Sequence, residues 1–568
     1  MRPTPLRDAP RWQTPLLIAL VVWALLAGLG LREPMPADEP RFVLAARTMV
    51  ESGQWLFPHR GIELYAEKPP TFMWLQAASY LLVRDWHVAF LLPSLLAALL
   101  TLWLSGDLAR RLWGRRAVPY AVFGLFVCLQ FALQAKRAQI DMVLVGMTTL
   151  SLWALMRYLL ETPRAWLLAL GTFAAGLGTV TKGVGFLPLL VFVPWLWVRW
   201  RSRRALPPHR GVRALAGVAG FIAGAGVWLV PMLSVALTSS DPALHAYARE
   251  MLFKQTGTRY ASAWHHVKPA WYYLQTMLTL WLPGVLLAPW LVPAWWRRLR
   301  RVDPRHALLL GWAVLVLVFF SASPGKREVY VFPMLPALAV AASPLLAGLL
   351  RRRGVRTVLW SYLAVLVAVA GGLGLWLLTA SPARVHALVD GRGMDMDTVA
   401  QLGRWLAGFA AVAVVVMVAA RRRVAVALVA VTAALWTAYG MGFMPALSPD
   451  SSAKALMQRV GERIGPQAEL AMLGWREQHL LQADRPVTDF GFKQPWAAQW
   501  QYAHAWLLEA PAQRWLFLRK EAIGPCLDPA KVVDIGASNR RAWILAPSAA
   551  WIPGCEVPTD WSADVSED

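Results

Sequence analysis

Four stretches bring carboxylates and cations together in a chain that is otherwise apolar. "ADEPRF" (37–42) holds Asp38 and Glu39, "YAEKPPTF" (65–72) holds Glu67 and Lys68, and "QAKRAQIDMV" (134–143) holds Lys136, Arg137 and Asp141. "SASPGKREVYVFPMLP" (321–336) adds Lys326, Arg327 and Tyr330. Lys182 stands in "LGTVTKGVGF" (177–186), and Arg259, His265, His266 and Lys268 in "GTRYASAWHHVKPAWYY" (257–273). A carboxylate can take a proton, pair with an amine or steady developing positive charge. Several cations can hold a phosphate and stabilise it as it leaves. Each stretch also has an ordinary explanation. An acidic pair suits a helix N-terminus, Lys182 can snorkel to an interface, and Lys, Arg, Trp and Tyr form interface belts.

The elements that must position these residues follow from composition. Of 568 residues, 57% are hydrophobic and 16% charged, against about 25% charged in average soluble domains. A membrane protein is indicated, and 32 Trp fit membrane interfaces. The net charge of +24 does not indicate a nucleic-acid binder, because the arginines fall in short clusters between apolar runs. Runs near 13–31, 86–106, 117–134, 141–160, 165–181, 184–200, 212–237, 271–295, 306–322, 331–350, 356–379, 400–420 and 424–444 predict thirteen spans. The first has no small-residue cleavage site and reads as a retained helix. Segment 71–83 is too short to cross and reads as an interfacial helix.

Charge tests that choice. With Arg2, Arg7 and Arg11 in the cytoplasm, thirteen spans put "RRLWGRR" (110–116), "RWRSRR" (199–204), "RRLRR" (297–301), "RRRGVR" (351–356) and "RRR" (421–423) on the same side. Counting 71–83 as a span would invert them. Loops 32–85, 135–141, 182–183, 238–270, 321–330 and 380–399 and everything after 444 then lie outside. The phased apolar residues of "EPRFVLAARTMVESG" predict an amphipathic juxtamembrane helix in the first of these. Two domains are expected: a membrane domain over 1–444 and an outer α/β domain over 445–568. In the second, "RWLFL" and "RAWILAP" read as buried strands and "SSAKALMQRVGERI" as an amphipathic helix. Cys128 lies in a span. Cys526 and Cys555 lie outside, where an oxidising compartment would permit a bridge, although the sequence does not show that they meet.

Positive residues should be scarce on the outer side, yet Lys68, Lys182, Arg259, Lys326 and Arg327 all fall at outer span ends. Asp38, Glu67 and Asp141 can share a cavity with them. A lipid-linked phosphate carrying a polar group is the ligand this set suits.

Taken together, "ADEPRF", "EKPP", "AKRAQIDM", "HHVKPAWYY" and "GKREVYVFPMLP" resemble the motifs of glycosyltransferase family 39 over about residues 13–350. The nearest likeness is to the bacterial aminoarabinose transferases of lipid A, with protein O-mannosyltransferases more distant. The resemblance implies a GT-C fold and inverting transfer from an undecaprenyl-phosphate sugar, with lipid A as acceptor, in a bacterial inner membrane with the site in the periplasm. It implies catalytic roles for Asp38 and Asp141, with Glu39 and Arg137 supporting. Lys68, Lys182, Arg259, Lys326, Arg327 and Tyr330 match donor-phosphate positions. Glu67, with His266 or else His265, matches a site for a divalent metal such as zinc. Asp38 would be a general base for a hydroxyl acceptor, or a positioning group if the acceptor is a phosphate. Asp141 would pair with the sugar's 4-amino group. The competing readings are a related transferase with a protein or glycan acceptor, and a lipid-linked sugar transporter. No internal repeat supports the latter, and the polar residues crowd the outer span ends rather than the midplane.

Overall fold

A computed structural model describes residues 13–201, 213–253, 267–381, 384–385, 389 and 394–562. Among these, seven helices are long and apolar enough to cross a bilayer, and two bent helix pairs raise the number to nine. The protein is a polytopic membrane protein. The expected runs near 13–31 and 331–350 appear as the shorter helices Gln13–Leu26 and Met334–Leu349. Segment 71–83 forms one short helix, Thr71–Val83.

Two expected spans are broken. Helices Arg115–Phe126 and Leu129–Ala135 meet at 72°, and Tyr272–Leu280 and Gly284–Arg300 at 102°. Pro283 accounts for the second break, since it lacks an N–H and clashes with the preceding turn. The first contains neither Pro nor Gly at the bend and is held by the second. Leu129 N–H donates to the Leu282 carbonyl at 3.0 Å, and the Trp281 indole donates to Gln130 Oε1 at 2.7 Å. Broken backbone at membrane depth is tolerated where other protein groups satisfy it. The fully buried Gln130 also donates to the Glu328 carbonyl at 3.0 Å. The two breaks therefore anchor the loop that carries Arg327 and Tyr330.

A short hairpin, β1 (His59–Arg60) and β2 (Glu63–Leu64), lies in the first loop. The C-terminal region holds β3 (Glu469–Leu473), β4 (Val487–Asp489), β5 (Arg514–Arg519), β6 (Val533–Ser538) and β7 (Arg541–Pro547). They form one sheet in the order β4-β3-β5-β7-β6, with β3 parallel to β4 and β5 and the remaining pairs antiparallel. Side chains alternate across a strand. Leu516, Leu518, Ala471 and Leu473 accordingly pack with Trp500, Ala503 and Leu507 of helix Trp496–Glu509. Phe517, Leu470 and Met472 point the other way, onto Leu456, Met457 and Val460 of helix Lys454–Ile464. The expected strands at 514–518 and 541–547 and the expected helix are all present. Helical segments Val424–Ala438, Tyr439–Phe443 and Met444–Ser451 run through residues 444 and 445, and a turn at residues 452 and 453 separates them from helix Lys454–Ile464.

Cys526 and Cys555 are bonded, closing a loop with a sequence separation of 29. A loop of that size restricts the unfolded chain by about 3–4 kcal/mol. Replacing both cysteines by alanine should lower the melting temperature of the C-terminal unfolding transition in the full-length protein. An unchanged melting curve would show that the bridge adds nothing.

The sheet domain rests on the first loop. Leu44 of helix Glu39–Ser52 joins the Leu456–Phe517 core. Glu33 accepts from Lys454 at 2.7 Å and from Gln482 at 3.2 Å. Glu63 accepts from the Lys493 backbone N–H at 3.0 Å.

Candidate active site

Asp38 stands at the N-terminus of helix Glu39–Ser52, yet its side chain makes no capping hydrogen bond. It accepts instead from Arg327 at 3.2 Å and from Gln139 at 3.1 Å. Burial alone would raise its pKa, but Arg327, Arg41 and Lys182 outweigh burial and hold it below the usual carboxylate range. Arg327 answers to both carboxylates: burial lowers its pKa, and Asp38 and Asp141 raise it above the ordinary value.

Asp141 begins helix Ile140–Leu160 and pairs with Lys182 at the end of helix Ala165–Lys182. The turn after Lys182 needs glycine. Gly183 has a φ of +72°, and a Cβ on Gly185 would strike the backbone of Gly178 and Thr179. That close return presents the ammonium of Lys182 to Asp141 and to the ring of Tyr330, 5.3 Å from its centroid. Asp38, Arg327, Asp141, Lys182 and Tyr330, drawn from four separate segments, thus form one constellation of alternating charge.

Glu39 has a different role from its neighbour. It is buried and held by Arg32 at 2.5 and 2.7 Å, and it accepts from the backbone N–H groups of Ala138 at 2.9 Å and Met35 at 3.0 Å. Lys136, also buried, donates to the Ala27 carbonyl at 2.5 Å. Burial and the nearby Arg32 push its amine down to about 7. Glu39 is therefore the carboxylate that compensates the buried Arg32 and ties the first loop to the segment before Asp141.

Glu67 accepts from Arg41 at 3.3 Å and from Arg60 at 3.2 Å. Both arginines also meet Glu477 of the sheet domain, at 3.2 and 2.5 Å. This four-membered network adjoins Asp38 through the charge of Arg41. Each Glu67 oxygen therefore faces a guanidinium, and the divalent metal expected there would have to displace Arg41 and Arg60. Among the described residues no three His, Cys, Asp or Glu side chains gather to hold a metal. His265, His266 and Arg259 lie outside the described residues.

Two further expected phosphate ligands donate to backbone carbonyls. Lys326 is buried, and its ammonium donates to the carbonyls of Ser323 at 2.5 Å and Lys268 at 3.1 Å, which fastens its own turn. Lys68 donates to the Glu67 carbonyl at 3.2 Å. Arg137, expected in support, is half-buried beside the constellation's Gln139.

Sequence reasoning missed Arg41, Arg60, Glu477, Arg32 and Gln139. Arg41 left one signal: a cation in the first turn of a helix opposes the dipole there and so calls for another reason to be present. Arg60 and Glu477 left none.

Several helices long and apolar enough to cross a bilayer thus carry a constellation of alternating charge. The crystal structure of ArnT from Cupriavidus metallidurans bound to undecaprenyl phosphate is similar over 96% of this chain and 100% of that one, with a TM-score of 0.70 at 20% identity. Residues 67–223 match the dolichyl-phosphate-mannose-protein mannosyltransferase family and residues 258–403 the Alg9-like mannosyltransferase family. The chain is 32% identical over 393 residues to the undecaprenyl phosphate-α-4-amino-4-deoxy-L-arabinose arabinosyl transferase 1 of Pseudomonas fluorescens, covering 67% of each protein. It is 28% identical over 332 residues to transferase 2 of Proteus mirabilis, covering 57% of this chain and 58% of that one. The chain belongs to the family of undecaprenyl phosphate-aminoarabinose arabinosyl transferases. It is a polyprenyl-phosphate-sugar-dependent glycosyltransferase.

Proposed function

We propose that the protein transfers 4-amino-4-deoxy-L-arabinose from undecaprenyl phosphate to a phosphate of lipid A, with inversion, at the periplasmic face of a bacterial inner membrane. The observation that carries this reading is the alternating constellation Asp38–Arg327–Asp141–Lys182. It offers carboxylates for a cationic amino sugar and cations for its phosphate. The thirteen-span layout, with the sheet domain in the periplasm, belongs to the same proposal.

In the reaction the acceptor phosphate oxygen forms a bond to the anomeric carbon as the bond to the undecaprenyl-phosphate oxygen breaks. Arg327 and Lys182 stabilise the charge left on the departing phosphate. Asp38, held below the ordinary carboxylate range, is a poor base. A phosphate acceptor has no proton to lose, so Asp38 instead steadies the oxocarbenium-like transition state. Asp141 faces the 4-amino group. The resemblance to family 39 suggests a metal such as zinc at Glu67. Because the arginines occupy that carboxylate, no step is routed through one.

Lipid A from cells with and without the gene, compared by mass spectrometry, tests the reading. A mass shift of one aminoarabinose that disappears with the gene is expected. Unchanged lipid A would replace this acceptor with a protein or glycan.

A further inference from the structure

Helix Pro304–Ala322 has 19 residues and spans about 28 Å at 1.5 Å per residue. Its C-terminal end leads into the turn of Ser323 and Lys326, and its N-terminal end borders a second site at the far end of the bundle. There Arg297, Arg298, Arg301 and Arg305 line an open hollow of ≈ 350 Å³ with Trp113, Asp303 and His306. That volume lies within the range of small-ligand sites.

The charges in this hollow do not balance. Asp303 is its single carboxylate, and it is already committed: Arg305 holds it at 3.1 and 3.2 Å, and the His306 ring lies 3.3 Å away. Arg298 donates to the Ala294 carbonyl at 3.0 Å. Asp303 also attracts Arg298, and among the described residues no carboxylate forms an ion pair with Arg297 or Arg301. Four guanidinium groups are therefore gathered around one carboxylate, which favours an anion able to accept several charge-assisted hydrogen bonds at once. One wall is aromatic, with Trp113 and His306 5.2 Å apart. Val292 and Trp296, on the same helix as Arg297, are each 55% exposed. That apolar stripe leading to a basic hollow suits a ligand with a phosphate head and a hydrocarbon tail better than a soluble phosphate.

We propose that this hollow binds the headgroup of an anionic membrane phospholipid, separate from the site around Asp38. Basic pockets between transmembrane helices bind such headgroups.

The test uses the full-length protein in nanodiscs of phosphatidylcholine with a fraction of phosphatidylglycerol, read by native mass spectrometry after release. R297Q/R301Q is compared with R115Q/R116Q. Each pair removes two exposed guanidinium groups, and the second pair lies outside the hollow. The wild type should retain phosphatidylglycerol over phosphatidylcholine. R297Q/R301Q should lose at least tenfold in that retention, while R115Q/R116Q keeps it and both variants keep sugar transfer. Equal loss in both variants would reduce the effect to net charge and overturn the site. Absence of any preference for phosphatidylglycerol would also overturn it. Displacement by inorganic phosphate or undecaprenyl phosphate at equal concentration would overturn the choice of ligand.

Discussion

Replacing Asp38 by Asn should reduce sugar transfer by about 10²–10³-fold in a protein that still folds. Asn has the same shape and can still accept from Gln139, so the first loop keeps its local contacts. What it loses is the negative charge facing Arg327 and the transition state. The kinetic signature follows. With its carboxylate gone, Arg327 is free for the donor phosphate, so the donor KM should not rise while kcat falls. A structural lesion would instead lower the melting temperature and worsen both constants. The pH profile adds a second readout. A general base poised near neutrality gives a rate that climbs through pH 6–7. Asp38 has a depressed pKa and is ionised from well below that range, so its titration should produce no such climb. Wild-type turnover in the Asp38→Asn enzyme would remove this residue from the reaction.

Glu39→Gln should be the most damaging substitution for stability, costing about 3–5 kcal/mol. Glu39 is buried against Arg32, so neutralising it leaves that guanidinium buried without its carboxylate. Two backbone N–H groups, of Met35 and Ala138, also lose a charged acceptor. Breaking one partner of a buried pair costs far more than replacing both with apolar groups of similar volume. The double variant Arg32→Met/Glu39→Leu should therefore recover part of the lost melting temperature. If Glu39→Gln melts with the wild type, the pair is not the fastening described.

Much of this site could be read from local sequence. The helix at 39–52 follows from its apolar phase, and the Lys182 turn from the two apolar runs that flank it. Asp38, Asp141, Lys182 and Arg327 were gathered by asking why outer span ends should be charged. What escaped depends on distant partners. Arg41 and Glu477 are 436 residues apart, and no pattern within either segment points to the other. Lys136 and Arg137 are adjacent and chemically alike, yet burial against Ala27 sets Lys136 apart in a way that spacing cannot show. The helix break near Cys128 has no breaker residue because its cause lies at Leu282.

The network of Arg41, Arg60, Glu67 and Glu477 bears on how such enzymes can be recombined. The last 120 or so residues carry no recognisable motif, and a protein engineer would treat them as an exchangeable cassette. A graft without an acid at the position of Glu477 would leave Glu67 as the one carboxylate that Arg41 and Arg60 share. The unit of exchange is therefore discontinuous: the first loop from Glu33 to Glu67 has to travel with the segment from Lys454 to Lys493.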